Sequence, residues 1–262
     1  MARFCTLFSG STGNCTYVGT AKKGILIDAG ASGSSILSAL AERGITEESI
    51  AAICVTHEHI DHIKGLSPLL KKLRIPLIAS PDTLKALEEK GKIPKDTTVI
   101  ETTQDVLDVC DIGIKRFAIS HDCTGASGYT FFLPQDTKIA VCTDTGIITD
   151  EIRQNINGSD LCLLESNHDL KMLKNGPYPP ELKLRIMSDF GHLSNNACAA
   201  ELPELLKCGT KRFVLGHLSQ HNNTPNMAKA SAKNAFTAIE AKENEDYILT
   251  VASVNGDKMM ML

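Results

Sequence analysis

The chain has no tryptophan, and aromatic residues fill only 5% of its 262 positions. Recognition of a single strand by base stacking would therefore rest on a few Phe or Tyr side chains. A basic excess is missing too. Lys and Arg number 27 against 31 Asp and Glu, a formal net charge of -4, so no overall field draws the molecule to nucleic acid or anionic lipid. An anionic substrate has to be held locally. No apolar run approaches the roughly 18 residues that a bilayer-spanning helix needs. Met1 to Gly10 carries one Arg with no sustained apolar core behind it, so neither a signal peptide nor a membrane anchor is expected. The nine cysteines are odd in number and contain no C-x-x-C pair. Cys54, Cys142 and Cys162 sit inside apolar runs, where a thiol behaves as a small hydrophobe, and a reducing cytoplasm is the expected setting.

What is present is a 42% hydrophobic chain without tandem repeats or a long Pro/Gly/Ser linker. One α/β domain over residues 1–262 is the expectation. Strand-length β-branched runs recur at 4–8, 15–18, 24–28, 51–56, 76–79, 97–100, 112–120, 128–133, 138–143, 160–164, 211–215 and 247–254. Helices between them show their ends. Ser34 precedes Ile36, Leu37 and Leu40 with Gly44 as terminator, and Ser80-Pro81 opens a segment closed by Gly91. Leu66, Leu69, Leu70 and Leu73 form a stripe at helical spacing, and further helices begin at Ser194 and at Thr224-Pro225. The polar link Ser9 to Asn14 between the first two strands, and turns near Asp111 and Pro134 to Thr137, read as hairpins. Mixed sheets covered by helices follow.

Four of the strand-like runs end in a metal-ligand type, at His57, His121, Asp144 and His217. Ligands collect beyond the carboxyl ends of strands in α/β sheets. The first run continues as His57-Glu58-His59-Ile60-Asp61-His62, leaving a strand and entering the leucine-striped helix. Crowded imidazoles and carboxylates repel or lose solvation, and divalent cations remove both costs. His57, His59, Asp61, His62, His121, Asp144 and His217 are too many for one zinc-type ion and suit two ions with a shared carboxylate.

These segments, with Ile25 to Gly30 and Thr143-Asp144-Thr145-Gly146, resemble in order the motifs of the metallo-β-lactamase superfamily. The resemblance implies a four-layer αββα sandwich, two mixed sheets with helices outside. It also implies that His57, His59 and His121 hold one metal, that Asp61, His62 and His217 hold the other, and that Asp144 bridges. Ser9 to Cys15, Glu165 to Asp169, Gly191 to Asn195 and Leu215 to Ser219 look like the YycJ/WalJ-type branch. That branch is similar to the nucleic-acid-processing tRNase Z and RNase J types, without the inserted second domain of the latter.

A centre of this kind is electropositive inside an acidic protein and prefers an anion such as a phosphodiester, attacked by a hydroxide bridging two ions. The expected function is a cytoplasmic two-metal phosphodiesterase, an exonuclease on single-stranded DNA or RNA. Zinc is the first choice of cofactor, with manganese and iron as alternatives. Asp61 and His192 are the expected catalytic groups, His192 as phosphate binder or general acid before a helix start. Asp28, Glu165 and His168 are expected behind the ligands, and Ser11, Asn14 and Ser194 against substrate. Lys64, Lys71, Lys72, Arg74, Lys207, Lys211 and Arg212 are candidates for the nucleic-acid backbone or plain solvated faces. Cys123 and His221 read as bystanders. The same core motif also suits hydrolysis of a small ester, thioester, lactone or β-lactam. A metal-binding protein without turnover is the third possibility.

Overall fold

The alternation of apolar runs and capped helices takes shape in a computed structural model that describes residues 1–103 and 105–262. The chain forms two units, and neither is a contiguous stretch. Unit 1 comprises Met1–Phe117, Cys123–Thr137 and Ser253–Leu262, and unit 2 comprises Ala118–Asp122 and Lys138–Ala252.

Unit 1 opens with β1 (Arg3–Phe8), β2 (Cys15–Gly19) and β3 (Gly24–Ile27), paired antiparallel in succession. β4 (Ile50–Cys54), β5 (Leu77–Ala79) and β6 (Val99–Glu101) continue the sheet in parallel from β3. The short β14 (Met260–Met261) closes its other edge, giving the order β14-β1-β2-β3-β4-β5-β6. The parallel half needs crossovers, which α1 (Gly33–Ala41), α2 (Ile60–Ile63), α3 (Leu66–Leu73) and α4 (Pro81–Glu89) supply. Leu66, Leu69 and Leu70 of α3 are buried with Ile36, Leu40, Leu26, Ile53 and Leu77. Each such side chain is worth roughly 1.5–3 kcal/mol on burial. β7 (Leu107–Val109) and β8 (Ile112–Ala118) make a hairpin whose turn places Cys110 and Asp111 at positive φ, and β9 (Ser127–Leu133) follows.

In unit 2, β10 (Thr137–Cys142, from Lys138 on), β11 (Leu161–Glu165), β12 (Arg212–Gly216) and β13 (Ile248–Val251) lie side by side, all parallel. The connecting helices are α5 (Asp150–Ile156), α6 (Leu170–Asn175), α7 (Pro180–Met187), α8 (Asn195–Lys207) and α9 (Pro225–Thr237). Ser194 caps α8 and Thr224 caps α9, each hydroxyl accepting an N–H at 3.2 Å from the residue three positions on.

Several boundaries differ from the sequence reading. α1 is capped by Ser32, whose Oγ accepts the Ser35 N–H at 3.1 Å, because Ser32 has the extended backbone a cap requires and Ser34 is already helical. The His-rich run enters the four-residue α2, which Lys64 and Gly65 separate from the leucine-striped helix. β7 and β14 are too short to announce themselves, and the run 247–254 contracts to β13. No helix among the described residues is long and apolar enough to cross a membrane.

Gly30 fixes a close backbone approach in unit 1. Gly30 N donates to Asn14 O at 2.8 Å, Asn14 N to Asp61 O at 2.8 Å, and Ala29 N to His62 O at 2.7 Å. A Cβ at Gly30 would collide with the Asp61 carbonyl, whereas one at Gly44 would meet open space and only a strained φ of 68°. Gly44→Ala is expected to lower the melting temperature by about 2–4 °C, the equivalent of about 1 kcal/mol. Gly30→Ala is expected to lower it several times as much; equal shifts for the two variants in thermal unfolding would contradict the close approach.

Candidate functional site

The cluster in unit 1 is organised by a buried carboxylate. Asp28 leaves β3 at a φ of 63°, a left-handed conformation that Asp tolerates better than most residues. Its Oδ1 accepts the Thr56 N–H at 2.8 Å, and its Oδ2 accepts the Thr56 hydroxyl at 2.8 Å and His62 Nδ1 at 2.7 Å. That last bond sets the proton of His62 on Nδ1. The Thr56 hydroxyl has spent its one hydrogen on Asp28, so at 3.0 Å from His57 Nδ1 it accepts, which puts the His57 proton on Nδ1 as well. Both rings are fully buried, with centroids 4.0 Å apart, and both keep Nε2 as the lone-pair atom. His57 Nε2 lies 3.0 Å from His59 Nδ1, and His62 Nε2 lies 3.6 Å from Asp61 Oδ2. A 3.0 Å gap between two imidazole nitrogens approaches the edge of a tetrahedron whose ligands stand about 2.0–2.1 Å from an ion.

The cluster in unit 2 repeats the scheme around Glu165, at the end of β11. This fully buried carboxylate accepts His217 Nδ1 at 2.7 Å and His192 Nδ1 at 2.9 Å on Oε1, and the N–H groups of Thr145 and Leu193 at 2.9 and 3.1 Å on Oε2. Burial opposes its ionisation, but His192 and His217 outweigh that and hold its carboxyl well below the usual range. Asp144 Oδ1 stands 3.3 Å from His217 Nδ1 and 3.7 Å from His192 Nδ1. One ligand-type atom each from Asp144, Glu165, His192 and His217 lies within 4.8 Å of the others. His121 donates Nδ1–H to the Gly191 carbonyl at 3.2 Å, and burial lowers its pKa toward the neutral imidazole that metals bind. Asp144 and His217, like Asp28, occupy the left-handed region, with φ of 59° and 55°. Strained backbone of this kind concentrates at functional positions.

His57 and His62 in unit 1, and His121 and His217 in unit 2, thus have Nδ1 tied to fixed acceptors, the arrangement metal-ligating histidines adopt. His57, His59, Asp61 and His62 are brought together in unit 1, and Asp144, His192 and His217 in unit 2, where the His121 ring lies 5.2 Å from that of His192. Asn14, expected against substrate, turns its amide to His62 Nε2 at 3.1 Å and Asp61 Oδ2 at 3.4 Å while its Oδ1 accepts Gly10 N–H. Ser11 is exposed in the β1–β2 turn, and Ser194 spends its hydroxyl on the α8 cap. His168 is buried, its carbonyl accepting Asn195 N–H at 2.8 Å, and neither ring nitrogen has a hydrogen-bond partner among the described residues. His221 is exposed, 5.8 Å from the Tyr178 ring. Of the expected surface cations, Lys72 pairs with Glu47 and Lys207 with Glu204.

Sequence reasoning missed Thr56, whose hydroxyl joins Asp28 to His57. It also missed the amide network behind the second cluster. Asn195 and Asn223 exchange amide bonds at 2.9 and 2.8 Å, Asn223 also donates to Ser166 O at 2.8 Å, and Asn167 donates to His217 O at 3.0 Å. A Thr directly before the first His was the available signal for Thr56. The asparagines carry none, since their partners lie 28 to 57 positions away.

A family model described as the metallo-beta-lactamase superfamily matches residues 9–217. The chain is 40% identical over 234 residues to exodeoxyribonuclease YycJ of Bacillus anthracis, covering 89% of this chain and 88% of that protein. It is 37% identical over 248 residues to exodeoxyribonuclease WalJ of Streptococcus pneumoniae, covering 94% and 92%. The metallo-beta-lactamase fold protein YhfI of Bacillus subtilis aligns over the full length of both chains with a TM-score of 0.75 at 15% identity.

Two outcomes follow from the buried groups. Glu165→Gln and Asp28→Asn keep shape but remove the acceptor charge behind the imidazoles, and each is expected to weaken zinc binding about 10–100-fold in a chelator-competition titration; unchanged affinity would mean that these carboxylates do not tune ligands. Burial lowers the pKa of His168 to about 4 from 6.5. Between these values the unfolded chain takes up a proton that the folded chain refuses, so this group costs stability as pH falls from 6.5 towards 4, by up to about 3 kcal/mol. His168→Phe should flatten that part of the urea-unfolding pH profile relative to the parent protein.

Proposed function

Since the chain belongs to the metallo-beta-lactamase superfamily and has its α/β fold of two mixed β-sheets with helices, we propose that this metal-dependent hydrolase is an exonuclease on single-stranded DNA. The observation that carries the reading is Glu165 gripping Nδ1 of both His192 and His217, with Asp144 at 3.7 and 3.3 Å. A histidine mounted in this way beside ligand-type groups supplies a proton partner for the poor alkoxide leaving group of a phosphodiester. The names of the two relatives, both exodeoxyribonucleases, support DNA as the substrate.

The proposed ligands are His57, His59, Asp61, His62, His121, Asp144 and His217, for two divalent ions, zinc before manganese or iron. The donor chemistry fits: imidazoles and carboxylates are the set such ions take. When bound, the ions supply charge for the phosphate and a water of lowered pKa. The protein's own part is positioning and proton transfer. Asp28 and Thr56 hold the His57 and His62 rings, and Glu165 holds His217. With Nδ1 committed to Glu165, His192 meets substrate through Nε2. As general acid it donates a proton from Nε2 to the leaving oxygen as the P–O bond breaks, while Glu165 holds the ring through Nδ1. We place both units in a single catalytic domain acting in the cytoplasm.

The test is the zinc- or manganese-saturated protein on single-stranded DNA labelled at either end. Release of mononucleotides is expected, and no cleavage of DNA or RNA under either metal would end the nuclease reading. His192→Ala should lower turnover on DNA about 10²–10⁴-fold, the usual worth of a positioned acid. A comparable loss on a carbonyl ester would instead favour the small-molecule hydrolase.

A further inference from the structure

Phe190 is 61% exposed, two residues before His192, in a chain with few aromatic side chains. An exposed phenyl is ordinary on a mobile loop, but this one stands on an immobilised turn. The Asp189 carbonyl accepts Ser120 Oγ at 2.7 Å, and the Gly191 carbonyl accepts His121 Nδ1 at 3.2 Å. Gly191 N donates to Ser188 O and His192 N to Ile186 O, both at 2.9 Å. Behind the turn, the Cβ space of Gly146 is filled by the Asp189 carbonyl, and that of Gly191 by the Arg185 and Ile186 carbonyls. The backbone on either side of Phe190 is therefore locked to the loops that carry His121 and Asp144, while the ring itself faces solvent.

The surroundings indicate what covers that ring. α7 buries none of its residues, and Leu184 and Met187 are exposed ahead of Phe190. The stretch from Leu170 to Phe190 carries Lys171, Lys174, Lys183 and Arg185 against only Glu181 and Asp189, a local positive excess on a chain of net charge -4. Arg185 pairs with Asp122, the neighbour of His121. An exposed apolar ring at the end of a stretch with this positive excess answers to a ligand with apolar faces and an anionic backbone, which is a single strand of nucleic acid. Two residues of backbone span at most about 7 Å, so Phe190 sits within about one nucleotide of His192.

We infer that Phe190 is a base-stacking residue that seats the nucleotide next to the phosphodiester being cut, with the cations of α6 and α7 along the strand. The inference rests on the exonuclease reading. A rigidly mounted phenyl loses little entropy on stacking and is tolerant of base identity, so it positions the strand end without sequence preference.

The test compares Phe190→Ala and Phe190→Tyr with the parent, all metal-saturated, on a single-stranded oligodeoxynucleotide and on the same strand with abasic residues at the end being cut. Phe190→Ala should raise KM about 5- to 100-fold, the range that loss of one base stack gives, with kcat changed far less and metal content unchanged. Phe190→Tyr should restore KM, and the abasic strand should not distinguish the variants. If the parent cuts DNA and Phe190→Ala has the parent's KM, the stacking role is wrong while the nuclease reading stands. A parent that cuts no nucleic acid removes both. A dimer in sedimentation velocity that Phe190→Ala dissociates would show that a second copy covers this face and would also overturn the inference.

Discussion

Two carboxylates taken almost wholly out of water, Asp28 and Glu165, govern the chemistry of this protein. Removing an ionised carboxyl from solvent costs several kcal/mol, and only a full set of strong donors offsets that. Asp28 receives three and Glu165 four, most at 2.7–2.9 Å. In satisfying themselves they settle which nitrogen of His62, His192 and His217 carries the proton, and through Thr56 the same is settled for His57. The orientation of each of these imidazoles is thus a by-product of burying a charge.

The loops that present these groups obtain their rigidity from backbone. Left-handed residues at Asp28, Asp144 and His217 turn the chain sharply where strands β3, β10 and β12 end. Glycines without Cβ atoms let carbonyls approach where a side chain would collide, at Gly30 over Asp61 in one unit and at Gly146 and Gly191 around the Asp189 turn in the other. A centre that must hold ligands to within a fraction of an ångström gains from such immobility, because the cost of ordering is met on folding and not at each turnover. The exposed Phe190 inherits the same fixed footing.

The buried amide network of Ser166, Asn167, Asn195 and Asn223 performs the equivalent task at longer range. It joins the segments after β11 and β12 to the start of α8, so the motifs around Glu165, His192 and His217 form one body within unit 2. Such networks are useful when every member is satisfied, since an unmet polar group in a low-dielectric interior costs more than a bond gains. His168 sits behind it as a buried imidazole held neutral by desolvation.

Strand runs, helix caps and the crowding of ligand types over His57 to His62 were legible in the order of residues because each is a local property: a period, a cap or a spacing within six positions. Boundaries moved where two serines competed for one cap, as Ser32 and Ser34 do, since only backbone conformation separates them. The linear chain by itself determined the α/β class and the kinds of atom available for metal chemistry. Tertiary structure alone decided what those atoms are bonded to: that Glu165 joins His192 and His217, 27 and 52 residues away, that Thr56 relays Asp28 to His57, and that Asn14 faces Asp61 and His62. Hydrogen bonds between residues distant in sequence leave no periodic trace, because their geometry exists only once the strands that carry them are packed.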